Sequence, residues 1–309
     1  MSRLALAALV LEATVGYPDR LHRRIPHPVA HVGAAISALE RRWNRPERSE
    51  AARRLSGVAA FALVAGGAAV AGALATRAAG RGPLGQGALA LLATTGLAQR
   101  SLHDHVAAVR RQLEAGDLAE ARLAVGRIVG RDVEGLDAEG VAAAALESLA
   151  ESFNDGVVAP AFWLAVGGLP GLFAYKAVNT ADSLIGHKEP RWRSFGWASA
   201  RADDAMNLVP ARLAGALIAL AGGGGWRTML RDARKHASPN AGWPEAAMAG
   251  ALGVRLGGAA SYDGVRVERP LFGEGRAPDA RDLRRGMGVY VGACGLLWLL
   301  AAGAAWRRR

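Results

Sequence analysis

The sequence predicts an all-α fold: a polytopic integral membrane protein with broken or re-entrant helices and amphipathic helices outside the bilayer. Three observations carry this reading. The runs Leu55–Thr76, Gly82–Gln99, Gly156–Tyr175 and Gly286–Trp306 contain no Asp, Glu, Lys or Arg, and about 18 apolar residues span a hydrocarbon layer of roughly 30 Å. Arginines gather at their borders, at Arg53-Arg54, Arg77, Arg284-Arg285 and Arg307-Arg308-Arg309, as they do where helices meet lipid headgroups. Between the runs the chain is as charged as a soluble protein, and no stretch alternates convincingly as a strand would. Buried helices of a large soluble protein would share the richness in Ala, Gly and Leu; the bordering arginines favour the membrane. One domain is expected over residues 1–309, with apolar spans near 4–16, 55–76, 82–99, 156–175, 208–222 and 286–306.

The elements follow in order. Leu4–Val15 makes a short helix, which Glu12 and the lack of a small-residue cleavage pattern mark as retained rather than a signal peptide. A basic loop follows from Tyr17 to Val29. Pro26 and Pro28 bracket His27 there and argue against a helix at that point. A charged amphipathic helix is expected over 33–45, then two apolar spans around the Gly80-Arg81-Gly82-Pro83 turn. Residues 101–131 read as amphipathic helices outside the membrane, the second capped by Asp117 with Glu120 three residues on. Asp137 caps the next, which runs to about Phe153. The run 156–175 is interrupted by Gly167-Gly168-Leu169-Pro170-Gly171, a sequence that a straight spanning helix carries only at a cost. A re-entrant pair of half-helices answers this, because irregular backbone at membrane depth is tolerated around a protein-lined cavity. The run Leu213–Trp226 is apolar but short and passes into four glycines, Gly222–Gly225, as a half-span or a buried helix would.

The net charge of +11 admits nucleic acid, anionic lipid or an acidic ligand as partners. The arginines cluster at apolar borders, without aromatic-basic interleaving or a nucleic-acid module. Lipid headgroups, and in part an anionic substrate, are the expected partners, and nucleic acid is not. The single cysteine, Cys294, excludes a disulfide framework and a cysteine metal site.

Polar residues collect between Glu147 and Arg212. Glu147 and Glu151 lie one helical turn apart, with Asn154 and Asp155 just beyond, an oxygen set of the kind Mg²⁺ takes together with phosphate and water. A solvated acidic helix face is the plainer reading. Asn179 shares a face with Asp182, and Asp203 with Asn207, while Arg201 precedes Asp204 by one turn and Arg212 follows it by two. Acid for a metal beside guanidinium for phosphoryl oxygens suits a metal-bound phosphate; an ordinary Arg201–Asp204 ion pair is the alternative. Lys176 and Lys188 are two of only three lysines and suit phosphate binding. His27, locked between prolines, stands out among scattered histidines that show no zinc spacing. Ser238-Pro239-Asn240-Ala241-Gly242-Trp243-Pro244-Glu245 is a rigid polar loop between helices that suits a substrate edge; a turn followed by a helix starting near Pro244 is the plainer reading. No nucleotide-binding glycine loop or nucleophile elbow is present.

In this order the segments resemble the cobalamin-biosynthesis CobD/CbiB family, the membrane-bound adenosylcobinamide-phosphate (cobinamide) synthases. The resemblance rests on Ile25-Pro-His-Pro-Val29, Ile128-Val-Gly-Arg-Asp132, Glu147-Ser-Leu-Ala-Glu151, Asp155-Gly-Val-Val-Ala-Pro160, Tyr175-Lys-Ala-Val-Asn-Thr180, Asp182-Ser183, Phe195-Gly-Trp-Ala198, Asp203-Asp204, Pro210-Ala-Arg212 and His236-Ala-Ser-Pro-Asn-Ala-Gly242. It covers nearly the whole chain. Departures at Ser152, where the family often has Asn, and at Tyr17, where it has an acidic residue, shift a ligand role toward Asn154 or Asp19. The resemblance implies ATP- and Mg²⁺-dependent amide ligation of (R)-1-aminopropan-2-ol, or its O-phosphate, to the f-propionate of adenosylcobyric acid. It also implies a plasma-membrane location with a cytoplasmic site, and other corrinoid-pathway enzymes as partners. The physical reading fits these roles: Glu147, Glu151, Asp155, Asp203 and Asp204 for Mg²⁺; Lys176, Arg201 and Arg212, with Asn179, Lys188, Ser238 and Asn240, for phosphates or the corrin periphery; Asp182 or His27 for the ammonium proton. A Mg²⁺-dependent intramembrane prenyl or phosphoalcohol transferase would instead show a long lipid-facing channel and no ATP requirement. A non-catalytic membrane scaffold would tolerate Asp203→Asn and Glu147→Gln.

Overall fold

Helices dominate the computed structural model, which describes residues 2–16 and 27–306. Four helical stretches are long and apolar enough to cross a membrane: Glu50–Ala79, Ala138–Ile185, Trp197–Ala221 and Ala280–Trp306. The all-α, polytopic expectation holds. The chain divides into two compact units, one of Met1–Ala98, Ala159–Asn207 and Ala301–Arg309, the other of Gln99–Val158 and Leu208–Leu300.

The first unit contains α1 (Ser2–Val15), α2 (Pro28–Trp43), α3 (Glu50–Ala79), α4 (Pro83–Thr94), α8 (Ala159–Ile185) and the start of α9 (Trp197–Ala221). Helix α2 begins five residues before its expected start. Pro28 occupies its first turn, where the missing N–H is not needed, and His27 caps it by accepting the Val29 N–H on Nδ1 at 3.3 Å. Pro28 thus opens a helix here instead of excluding one. Residues 17–26, with Tyr17 and Asp19, lie outside the described residues. Helix α3 packs against α8, and Leu55, Leu63, Val70 and Leu74 remain exposed along it, as a lipid-facing helix requires. A Cβ at Gly72 would lie 2.7 Å from the Pro170 backbone nitrogen, so only glycine lets the two backbones approach this closely. Helix α4 ends at Thr94 after 12 residues, too short for the span expected over 82–99.

The break in α8 falls at Gly168, whose φ of 63° and ψ of −156° only glycine adopts readily. The two halves fold back on each other. A straight helix would separate Trp163 and Tyr175 by about 18 Å, yet both reach neighbouring residues of α9. Trp163 Nε1 donates to Met206 O at 3.1 Å, and Tyr175 Oη donates to Asn207 Oδ1 at 3.1 Å. The run expected to be a short half-span is the C-terminal part of α9, which passes through Pro210 as one 25-residue helix. Below this, Ile36, Ala60, Ala181, Ile185 and Phe195 form a buried cluster. Arg191 clasps Glu40 through two hydrogen bonds of 3.0 Å each, and this bond to the guanidinium holds the Glu40 carboxyl below its ordinary range.

The second unit holds α5 (Gln99–Ala115), α6 (Leu118–Val125), α7 (Ala138–Phe153), a π-turn at Asn154–Val158, the rest of α9, α10 (Trp226–Asp232), α11 (Gly242–Leu252) and most of α12 (Ala280–Trp306). Asp117 and Asp137 cap α6 and α7, as their spacing predicts. Two short antiparallel strand pairs were not foreseen: β1 (Leu256–Gly257) with β4 (Leu271–Phe272), and β2 (Ala260–Tyr262) with β3 (Val265–Val267) between them. Asp263-Gly264 turns the inner hairpin with positive φ at both residues, and the Asp132 carboxylate accepts both N–H groups, at 3.1 and 2.8 Å. An Asp-Gly pair is the sequence signal for such a turn, and strands this short leave too little alternation to see.

Candidate functional site

The candidate residues fall into two constellations, one in each unit. In the second unit, Glu147 and Glu151 project from one face of α7, as their four-residue spacing requires. They line a pocket of about 300 Å³ together with Arg131, His236, Glu245, Tyr262 and Arg269. The loop carrying Arg131 is tied to α7 by the Ser148 hydroxyl, which donates to Ile128 O at 2.7 Å. It is tied to the inner hairpin by the Asp132 contacts, so Arg131 is fixed from both sides.

Glu147 is buried and fully engaged. Its Oε2 accepts from Arg131 and, at 2.9 Å, from Arg269, while Oε1 accepts the Gly257 N–H at 2.7 Å. A carboxylate this well hydrogen-bonded by cations compensates the cost of burial. It has little left to offer a metal, and the arrangement makes Glu147 an anchor for two guanidiniums. Glu245, in the first turn of α11, is the opposite case. It is buried, its Oε2 has no hydrogen-bond partner among the described residues, and Arg269 Nη2 stands 3.8 Å away. Burial pushes the Glu245 carboxyl well above its ordinary range, and the neighbouring Glu151 and Glu147 charges add to the effect. His236 Nε2 lies 3.8 Å from Glu245 Oε1, and its Nδ1 accepts the Ser238 N–H at 2.9 Å; burial holds this imidazole below its ordinary value, hence neutral at pH 7.

Asp155 accepts from the Asn154 side-chain amide at 2.7 Å within the π-turn, a helix defect of a kind frequent at functional sites. The Ser238 hydroxyl accepts the N–H groups of Asn240 and Ala241, which shapes its loop. Asn240 Oδ1 in turn receives Arg212 Nη1, and the Arg212 guanidinium lies 4.7 Å above the Trp243 ring. Arg212 therefore meets the Ser238–Asn240 loop.

In the first unit a continuous polar chain joins α8 to α9. Lys176 Nζ donates to Asn179 Oδ1 at 3.3 Å, and Asn179 Nδ2 donates to Asp203 Oδ1 at 3.3 Å. Asn207 Nδ2 donates to Asp203 Oδ2 at 3.0 Å, completed by the buried Tyr175 hydroxyl behind it. The helical spacings 176/179 and 203/207 put each pair on one face, and the fold-back at Gly168 turns Tyr175 toward α9. Asp204 meets Arg201 at 3.5 Å on the exposed side, the ordinary ion pair foreseen as an alternative. Lys188 is exposed in the following loop. Asp182 sits in the last turn of α8, its carbonyl accepting the Gly186 N–H at 2.7 Å. His27 serves as the α2 cap.

Sequence reasoning did not single out Arg131, Arg269 or Glu245. Arg131 lies inside a family motif and Glu245 ends the polar loop that begins at Ser238, but Arg269 carries no local signal, because its importance lies in a contact with a residue far away in the chain.

The sequence model of a family described as CobD/Cbib protein matches residues 5–290. A Sinorhizobium protein named "Cobalamin biosynthesis protein CobD" is 51% identical over 94% of this chain and 94% of its own length. The protein of that name from Rhodobacter capsulatus is 50% identical, covering 96% of this chain and 98% of its own. One from Geobacter metallireducens is 46% identical over 97% and 95%. No solved structure matches.

Proposed function

The chain belongs to the CobD/CbiB family, and on that premise we propose that it is a ligase of cobalamin biosynthesis. It joins the amine of (R)-1-aminopropan-2-ol, or of its O-phosphate, to the f-propionate carboxyl of adenosylcobyric acid at the expense of ATP. The observation that carries the reading is the Lys176–Asn179–Asp203–Asn207 chain, which combines a cation with a hydrogen-bonded carboxylate on two helices. Amide formation from a free carboxylate requires activation, most simply as an acyl phosphate, and that requires a seat for nucleotide phosphates. In this reading Lys176, with Lys188 and Arg201, contacts phosphoryl oxygens as point charge and fork, and Asn179 orients them.

The residues fit Mg²⁺ that arrives with the nucleotide. Among the described residues no three His, Cys, Asp or Glu stand together as a resident metal site. Asp203 accepts one amide N–H on each oxygen, whereas Glu147 holds three donors, two of them cationic. Asp203 thus keeps its negative charge and further lone pairs for Mg²⁺ to share with phosphate and water. When bound, the metal would neutralise phosphate charge at Asp203, with Asp204 adjacent. Glu147 fits a metal poorly because its oxygens are already taken, so the metal role is assigned to Asp203 and Asp204. Arg212 and the Ser238–Asn240 loop suit the carboxylate- and amide-rich corrin edge. We place the enzyme in the plasma membrane with its site on the ATP-containing side.

The test is amide formation by purified, detergent-solubilised protein given adenosylcobyric acid, aminopropanol or its phosphate, Mg²⁺ and ATP, each omitted in turn. Product dependent on ATP and Mg²⁺ is expected. Product without ATP would remove the acyl-phosphate step and keep the substrates. Folded protein that makes no amide under any condition would overturn the reading.

A further inference from the structure

We propose that the pocket between α7, α11 and the Arg269 segment is an ammonium site, which holds the small amine substrate through Glu245 and Glu151. This rests on the ligase reading for the amine's identity, but the site itself is argued from its own charges.

The pocket walls carry three carboxylates, Glu147, Glu151 and Glu245, against two guanidiniums, Arg131 and Arg269. Both guanidiniums donate to the same atom, Glu147 Oε2. Glu245 therefore stays without a hydrogen-bonded cation although only 1% of its surface is exposed. Its Oε2 faces Arg269 Nη2 at 3.8 Å, beyond hydrogen-bond reach, and accepts from no other group. The neutral His236 ring at 3.8 Å from Oε1 brings no compensating charge. A buried carboxyl oxygen without a partner is costly, and a positively charged N–H donor would both satisfy it and draw the carboxyl into its charged form.

A primary ammonium supplies that group. It is compact, carries one charge and offers three N–H bonds, enough for Glu245 within the pocket and for Glu151, which is solvent-exposed on its wall. A guanidinium would duplicate what Glu147 already holds. The volume of about 300 Å³ is at the small end of ligand sites. It admits a three-carbon amino alcohol.

The experiment measures binding of (R)-1-aminopropan-2-ol to full-length protein in detergent by calorimetry, without ATP or corrinoid, with propane-1,2-diol as the uncharged counterpart. The amine is expected to bind and the diol not to. Glu245→Gln keeps the shape and removes the charge. It should weaken amine binding at least tenfold, raise KM for the amine by a similar factor, and leave KM for ATP and the thermal midpoint undiminished. Glu151→Gln should weaken the amine in the same direction. Amine binding unchanged in Glu245→Gln would overturn the proposal, as would wild-type protein that forms amide yet binds no amine alone; either result leaves the ligase reading intact. Charge-dependent amine binding by protein that makes no amide would instead keep the ammonium site and remove the ligase reading.

Discussion

Arg269 donates to Glu147 Oε2 at 2.9 Å across 122 residues of chain, beside Arg131, which donates to the same oxygen. This shared acceptor joins the strand segment to α7 and shapes the pocket wall that also carries Glu245. Both side chains are largely buried, so the pair is a junction whose removal leaves an uncompensated charge.

Arg269→Ala should therefore cost about 3 kcal/mol or more, read as a lower thermal midpoint in detergent. Arg269→Lys should recover little of it, because an ammonium cannot reproduce the planar fork. A midpoint equal to wild type in Arg269→Ala would show that the pair contributes nothing to the fold.

Asp203→Asn keeps the side-chain shape but leaves one oxygen for two amide donors, the Asn179 and Asn207 Nδ2 groups, so it should cost about 1–3 kcal/mol of stability while the helices stay packed. It removes the one carboxylate of the polar chain. Amide formation should fall about 100-fold or more, on the scale of losing a group that stabilises transition-state charge. The apparent affinity for Mg²⁺ and ATP should weaken with it, in a titration of Mg²⁺ at fixed ATP. Unchanged kinetics would dissociate this cluster from catalysis.

Gly168→Ala should destabilise the protein by about 1–3 kcal/mol, the cost of forcing a side chain into a backbone region reserved for glycine. Gly167→Ala is the control, because an added Cβ there meets nothing within 4 Å. Thermal midpoints of the two variants, measured side by side, separate strain at the fold-back from loss of any glycine in this segment.

Asp232 gives a pH dependence whose sign is determined. The hydrogen bond from Arg231, opposed by burial and aided by Lys235 and the Gly273 N–H, holds its carboxyl well below the ordinary aspartate value. A depressed acid stabilises the fold above its unfolded value of about 3.9. That contribution is full at pH 7, starts to fade as the pH drops below about 4, and disappears as the folded value is passed. Asp232→Asn should thus lower the thermal midpoint at pH 7, and the difference from wild type should shrink in acid. A difference that grows in acid would contradict the assignment.

Much of the architecture is legible in local pattern. The charge-free runs, the caps Asp117 and Asp137, and the break near Gly168 each depend on residues within a few positions of one another. Where local reading erred, a local rule had two outcomes. Pro28 opens a helix as readily as it blocks one, and Gly82–Gln99 is apolar enough to span but stops at Thr94. At the sites, helical spacing placed Glu147 with Glu151 and Asp203 with Asn207. It could not show that Arg212 meets Asn240, because spacing along one helix says nothing about the Ser238–Asn240 loop that packs beside it.

The sequence by itself determined the helical class, the apolar stretches and the family, since all three are written in composition, period and contiguous motifs. Only the tertiary structure decided what the charged residues do. Whether a buried glutamate is anchored like Glu147 or left wanting a cation like Glu245 depends on which guanidinium arrives from a distant segment. Coulomb energy and hydrogen bonding act over a few ångströms of space, without regard to how far apart the partners lie along the chain.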